Sequence, residues 1–271
     1  MKEAIVAVAD THINSMLGLC APDVEDDEGS EYQPNLIQQW LWHTWNKCID
    51  DIKRLTRKYH TTVIFNGDIV DLDAKKRSDQ MISENPAVIL EIADKTLKPL
   101  LDIANRTFFV RGTEAHVGKS GWAEEMMAQR YHSIKDPETG QYSWWQIRLE
   151  FAGVKFDVAH HFTTGSLPYT FPNGMTRLVQ VERLNYADWG EPAPDVIVRG
   201  HRHQHIDTGT TFSTRGVALP CWQYPTSYIY RLGKGNSKPS IGCGVFLCEN
   251  GDYEYIPLLY EPKRSPSWRK M

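Results

Sequence analysis

Three short apolar runs, each ending in a polar turn and each separated from the next by a helical stretch, constrain this chain more than any other feature. They lie at residues 4–9, 62–65 and 107–110, and lead into Asp10, into Asn66, Gly67 and Asp68, and into Arg111, Gly112, Thr113 and Glu114. Runs this short and this apolar read as strands buried on both faces of a sheet. Between the first two, Ile37, Leu41, Trp45, Cys48, Ile52 and Leu55 recur at helical spacing. Between the second and third, residues 86–104 repeat that pattern at Val88, Ile89, Ile92, Leu97, Leu100 and Leu101, with Pro99 expected to bend or interrupt the helix. Strands alternating with helices predict an α/β fold with a parallel core and right-handed crossovers.

The second half reads differently. Residues 142–151, 154–159 and 195–198 are strand-like, and helical character is sparser. Asn250-Gly251 is a two-residue turn signal between strand-like segments at 245–248 and 253–256, and predicts a hairpin. With 271 residues, 41% of them hydrophobic, the chain can bury a sizeable core. One domain over residues 1–262, followed by a polar tail at 263–271, is the organisation expected.

Charge and cysteine usage narrow the class. A net charge of −4 disfavours a broad basic surface, although bound cations can still draw a phosphate to one cleft. The five cysteines, Cys20, Cys48, Cys221, Cys243 and Cys248, form no CxxC pair and follow no secretory leader, so a reduced cytoplasm is expected. No apolar run approaches the ~18 residues of a membrane span, and no membrane partner is expected.

The strand ends carry the chemistry. The first holds Asp10 and His12. The second holds Gly67, Asp68 and Asp71, where a structural turn or helix cap competes with a ligand role. The third is Gly112 to His116, in which Glu114 and His116 are candidates for ligand, acid or plain surface residues. The fourth joins His160 and His161 to Gly200, His201, Arg202 and His203. Histidine is scarce, so GHxH is the least accidental of these patterns. Carboxylates mixed with neutral imidazoles suit manganese, iron or zinc, whereas calcium and magnesium favour oxygen alone.

In chain order these motifs resemble the calcineurin-like metallophosphoesterases, whose signature is DxH, GDxxD, GNH[DE], a strand-end His and GHxH. The resemblance extends from residue 4 to about residue 205 and implies two packed mixed β-sheets flanked by helices, a four-layer α/β/β/α sandwich. It implies two divalent metals, with manganese favoured and iron or zinc as alternatives. Asp10, His12, Asp68 and His203 would hold the first, Asp68 would bridge, and His160 and His201 would complete the second. Asp71 would orient the ligands by hydrogen bonding.

One motif departs from that signature. Where the family has Asn followed by His, this chain has Thr113, Glu114, Ala115 and His116. Glu114 is the preferred replacement oxygen ligand and Thr113 the alternative, with His116 in the role of the catalytic His. This altered motif is similar to variants in virus-encoded members. His160 fits the strand-end position better than His161, because adjacent side chains on a strand face opposite ways. His205 extends the alternation but reads as a surface residue.

The expected reaction is in-line attack on phosphorus by a metal-bridging hydroxide, with His116 stabilising the transition state or protonating the leaving oxygen. Protein phosphatases of the superfamily follow GDxxD with Arg-Gly; here Leu72 and Asp73 follow, favouring a phosphodiester of nucleic acid or nucleotide as substrate. A phosphomonoesterase and a catalytically inactive metal-binding interaction protein are the alternatives. Trp222, Tyr224, Tyr228 and Tyr230 are either core or a stacking surface for bases, and Arg177 and Arg183 either reach substrate phosphates or solvate a helix.

Overall fold

A computed structural model describes residues 2–72, 75, 80–163 and 168–263. Asp73 and the tail from residue 264 onward lie outside them. The first half follows the predicted alternation: β1 (Lys2–Val8), two short strands β2 (Val24–Glu25) and β3 (Glu31–Tyr32), α1 (Leu36–Thr56), β4 (His60–Asn66), α2 (Pro86–Leu101) and β5 (Arg106–Val110). Asn35 caps α1 reciprocally with Gln38, which fixes where the helix starts. Helix α2 continues through Pro99 and ends at Leu101, short of the expected residue 104.

A short helix α3 (Glu114–Val117) and α4 (Trp122–Arg130) follow, then strands β6 (Ser143–Trp144), β7 (Ile147–Phe151) and β8 (Val154–Val158). The next element, α5 (Phe171–Asp188), was foreshadowed only by the alternative reading of Arg177 and Arg183. Only Met175 and Val179 of α5 are buried, while Val181 and Leu184 face solvent, so no clean helical stripe marks it in the sequence. The chain finishes with β9 (Val196–Arg199), β10 (Ile206–Asp207), β11 (Arg215–Ala218), α6 (Ser227–Arg231), β12 (Ile241–Glu249) and β13 (Asp252–Tyr260). Glu249 pairs with Asp252 across the predicted two-residue turn, where Asn250 and Gly251 have φ of 54° and 84°.

Two main sheets result, ordered β13-β12-β1-β4-β5-β6 and β10-β11-β9-β8-β7. β1, β4 and β5 are mutually parallel, as the alternation required. Side-chain alternation along each strand then builds the layers. From β1, Val6 and Val8 pack with Trp45, Ile49, Ile92 and Leu97 of the helices, while Ile5 and Ala7 pack with Phe156, Val158 and Val198 of the other sheet. Beyond that second sheet, Ile197 and Ala218 meet Met175 and Val179 of α5. The order of layers is therefore helices, sheet, sheet, helix, the four-layer sandwich that the motifs implied.

All five cysteines are free and buried. No described helix is long and apolar enough to cross a membrane.

Candidate metal centre

β1 and β4 are parallel neighbours, so the loops leaving them start side by side. They stay joined: the N–H groups of Asp10, His12 and Ile13 donate to the carbonyls of Gly67, Asp68 and Ile69 at 2.9–3.0 Å, and Thr11 Oγ1 donates to Ile69 at 2.6 Å. This pairing demands unusual backbone. Of eleven described non-glycine residues with positive φ, five are Asp10, His12, Asp68, His201 and His203. Such conformations cost roughly 1–3 kcal/mol each and gather where geometry serves function rather than stability.

Two glycines permit the close approach. A Cβ on Gly67, whose φ is 80°, would lie 2.3 Å from Nδ1 of His160, and one on Gly112 would lie 2.2 Å from Oδ1 of Asp68. The glycine in each motif is thus dictated by the side chain beside it.

The second sheet supplies further imidazoles. His160 follows β8, and its Nδ1 lies 2.7 Å from the Asn66 carbonyl. With Nδ1 donating there, Nε2 points inward and lies 3.0 Å from Oδ2 of Asp68. The loop after β9 carries His201 and His203, and the His201 N–H donates to Oδ2 of Asp10 at 2.9 Å.

The other oxygen of that carboxylate decides the character of the site. Oδ1 of Asp10 is fully buried and has no hydrogen bond to any described residue. Nε2 atoms of His203, His12 and His160 lie 3.3, 3.8 and 3.9 Å from it. His12 and His203 also bring Nε2 atoms within 3.1 Å of each other. A buried carboxylate oxygen facing three imidazole nitrogens is a donor set that suits a cation. By its chemistry this is a site for cations.

The described residues offer four overlapping ligand groups whose donor atoms lie within 4.8 Å of one another: Asp10, His12 and His203; Asp10, Asp68 and His160; His12, Asp68 and His116; and His160, His161 and His201. Two carboxylates shared among several imidazoles suit a pair of divalent ions. Electrostatics agree. Burial opposes the charge on Asp68 and on His160, yet their mutual attraction outweighs it, holding Asp68 well below the usual carboxylate range and raising His160 to about 10. Burial, followed by the charge of His160, depresses His201 to about 3 and leaves its ring neutral, the form that binds metal.

Asp71 sits behind this centre. Its Oδ1 lies 3.1 Å from Nδ1 of His116 and its Oδ2 3.5 Å from Nδ1 of His12. Burial opposes a charge on His116, but the hydrogen bond and charge of Asp71 prevail and raise that imidazole above its ordinary value.

Two sequence assignments need correction. Glu114 is exposed at the start of α3 and belongs to none of the ligand groups. Thr113, one residue earlier, faces them instead: its N–H donates to Oδ1 of Asp68 at 2.5 Å, and its Oγ1 lies 3.2 Å from both His161 Nε2 and His201 Nδ1. The helix begins at residue 114, so the carboxylate is carried outward. The expectation that His160 and His161 face opposite ways also fails, because β8 ends at Val158 and strand alternation ends with it. His205 is half-buried, 3.0 Å from the Tyr255 hydroxyl, and joins none of the groups.

Two supporting residues carried no sequence signal. Glu124 on α4 is completely buried and accepts from the Gly112 N–H at 2.6 Å and the Ile69 N–H at 3.4 Å, tying together the loops after β4 and β5. Asn14 bonds the Asp71 carbonyl at 2.8 Å and both backbone groups of Ser83. Each is an isolated polar residue without a partner at recognisable spacing.

Among the aromatics, Trp222 is core, edge-on to Trp45 at 4.8 Å. Tyr224 and Tyr230 line a groove of about 480 Å³ with Leu17, Gln80 and Arg231. Arg177 and Arg183 lie on α5.

No family model and no curated protein matches this sequence. Solved structures that align with it include a Vps29 variant from Entamoeba histolytica at 9% identity and a TM-score of 0.42, covering 95% of this chain and 99% of that one. A dimetal phosphatase from Danio rerio aligns at 9% identity and a TM-score of 0.45, covering 96% and 99%. A metallophosphoesterase from Sphaerobacter thermophilus aligns at 10% identity and a TM-score of 0.37, covering 95% and 89%. At such scores these alignments assign nothing to this chain, and the site stands on its own geometry.

Proposed function

We propose that this protein is a metal-dependent phosphoesterase, acting on a phosphodiester of nucleic acid or nucleotide. The observation that carries the reading is the buried, unbonded Oδ1 of Asp10, encircled by three imidazole nitrogens within 3.9 Å. Asp10, His12, Asp68 and His203 would hold one divalent ion, and Asp68, His160 and His201 a second. Manganese is the first choice, with iron or zinc as alternatives. Ions so held would supply an activated water and polarise the phosphoryl oxygens.

The chain's own residues do the rest. Asp68 would contribute a carboxylate to both sites. Asp71 orients His12 and His116 from behind. His116 keeps its proton through Asp71 and is half-exposed beside His12, their ring centroids 4.6 Å apart. It is therefore placed to donate a proton to the departing oxygen. The groove bearing Tyr224, Tyr230 and Arg231 includes Leu17, from the loop that carries Asp10 and His12, and offers stacking surfaces and a cation to a nucleotide.

A second reading, a metal-binding protein without turnover, is favoured by one observation: Thr113 presents only a short neutral hydroxyl where the resemblance expects an amide ligand. The test is hydrolysis of an aryl phosphodiester and the matching monoester by metal-stripped protein reconstituted with manganese. Diester turnover that Asp68→Asn abolishes supports the proposal. Faster monoester turnover would replace its substrate class, and metal uptake without turnover of either ester would favour the second reading.

A further inference from the structure

The third motif leaves the second ion short of a ligand, and the fold brings an unexpected residue to that place. His161 is exposed, yet its ring centroid lies 4.7 Å from that of His201 and 4.9 Å from that of His160. One nitrogen from each of the three imidazoles falls within 4.8 Å of the others. Thr113 Oγ1 contacts His161 and His201, each at 3.2 Å, while its backbone N–H is bound to Asp68. Thr113 therefore occupies the expected ligand position with a side chain one bond too short to reach as far as an amide oxygen, and His161 stands directly across it.

We propose that His161 is a ligand of the second metal ion, taking the coordination position that Thr113 leaves open. The assignment rests on the two-metal reading above. It makes the two sites chemically unequal. The first combines two carboxylates with two imidazoles; the second combines three imidazoles with the single carboxylate of Asp68. Imidazole-rich sets favour zinc, iron or nickel, and carboxylate-rich sets accept manganese or magnesium more readily. The second site should accordingly discriminate against manganese more strongly than the first. It also follows that His161, at the open side of the centre, joins a ligand role to solvent exposure, so the second ion lies at the more accessible end.

The test is metal stoichiometry and affinity, read without reference to turnover. Chelator-stripped full-length chain is titrated calorimetrically with zinc chloride and, separately, manganese chloride, and bound metal is counted by elemental analysis after desalting. The wild-type chain should take up two zinc ions. His161→Ala, at an exposed position, should keep one ion with unchanged affinity and bind the other at least about 100-fold more weakly, the upper range for loss of even an indirect partner. Circular dichroism of the metal-free variant confirms its fold. Adding Thr113→Asn to His161→Ala should restore the second ion, because an amide would then fill the vacated position. If His161→Ala binds two zinc ions as tightly as the wild type, the assignment is overturned while the two-metal reading survives. If the double variant stays at one ion, Thr113 and His161 do not share a coordination position. A wild-type chain that holds fewer than two ions removes both readings together.

Discussion

The two sheets contribute unequal halves of the candidate metal centre. From the first come Asp10, His12, Asp68 and Asp71, all buried, on loops joined by successive backbone hydrogen bonds. The loops of the second sheet contribute His161, His201 and His203, of which His161 is exposed and the other two are only half-buried; His160 alone is buried there. The loops after β1 and β4 repeat their expected motifs residue for residue, and the departures gather on the open side, at Thr113 and Glu114 after β5 and at His161 after β8. Burial explains the contrast. A carboxylate fixed between two parallel strands has one geometry, whereas residues facing solvent can exchange ligand roles without disturbing the core.

The largest expected effect tests the buried half. Asp68→Asn removes the charge shared by both ligand groups, and should bring metal content and turnover together to the level of chelated protein, measured by elemental analysis and diester hydrolysis. Metal retained at wild-type content would dissolve the distinction between the halves. Next comes the open side: His116→Ala should keep its metal but lower kcat by about 10²- to 10⁴-fold, the usual contribution of a positioned acid. Full activity would remove His116 from the reaction.

A smaller effect concerns the support beneath the centre. Burial, followed by the neighbouring charge of Asp68, raises Glu124 to about 8 in the metal-free chain. An acid whose folded pKa lies above its unfolded value of about 4.3 binds more protons when folded. Stability of the metal-free protein should therefore fall as pH rises from about 4.5 to 8, with this contribution levelling above that range. Glu124→Gln keeps an acceptor for the Gly112 N–H and should flatten that slope in denaturant titrations; an unchanged slope would show that another group sets it. The smallest effect belongs to Glu114→Ala. Glu114 is exposed and outside every ligand group, so metal content should not change. Loss of an ion would return Glu114 to the centre and displace Thr113.

The legible part of the fold was the part with a period. Helices α1 and α2 have one buried stripe, the first three strands of the parallel core are continuous apolar runs, and Asn250-Gly251 marks its own hairpin. Helix α5 was hidden because it buries two residues and exposes others equally apolar. In the site, the ordered motifs named Asp10, His12, Asp68, His160, His201 and His203, and the structure brings all six together. His161 was ranked below His160 by extending strand alternation past the last residue of β8. Glu124 and Asn14 were invisible because a polar residue that supports a loop needs a partner in space, not in spacing.

The sequence by itself determined which residue types stand at each strand end, since glycine and Asp or His there answer to local backbone demands. Only the tertiary structure placed Thr113 rather than Glu114 beside the histidines, and brought the rings of His160 and His161 together. Those choices depend on where a helix starts and a strand stops, set by hydrogen bonds and packing between segments far apart in the chain.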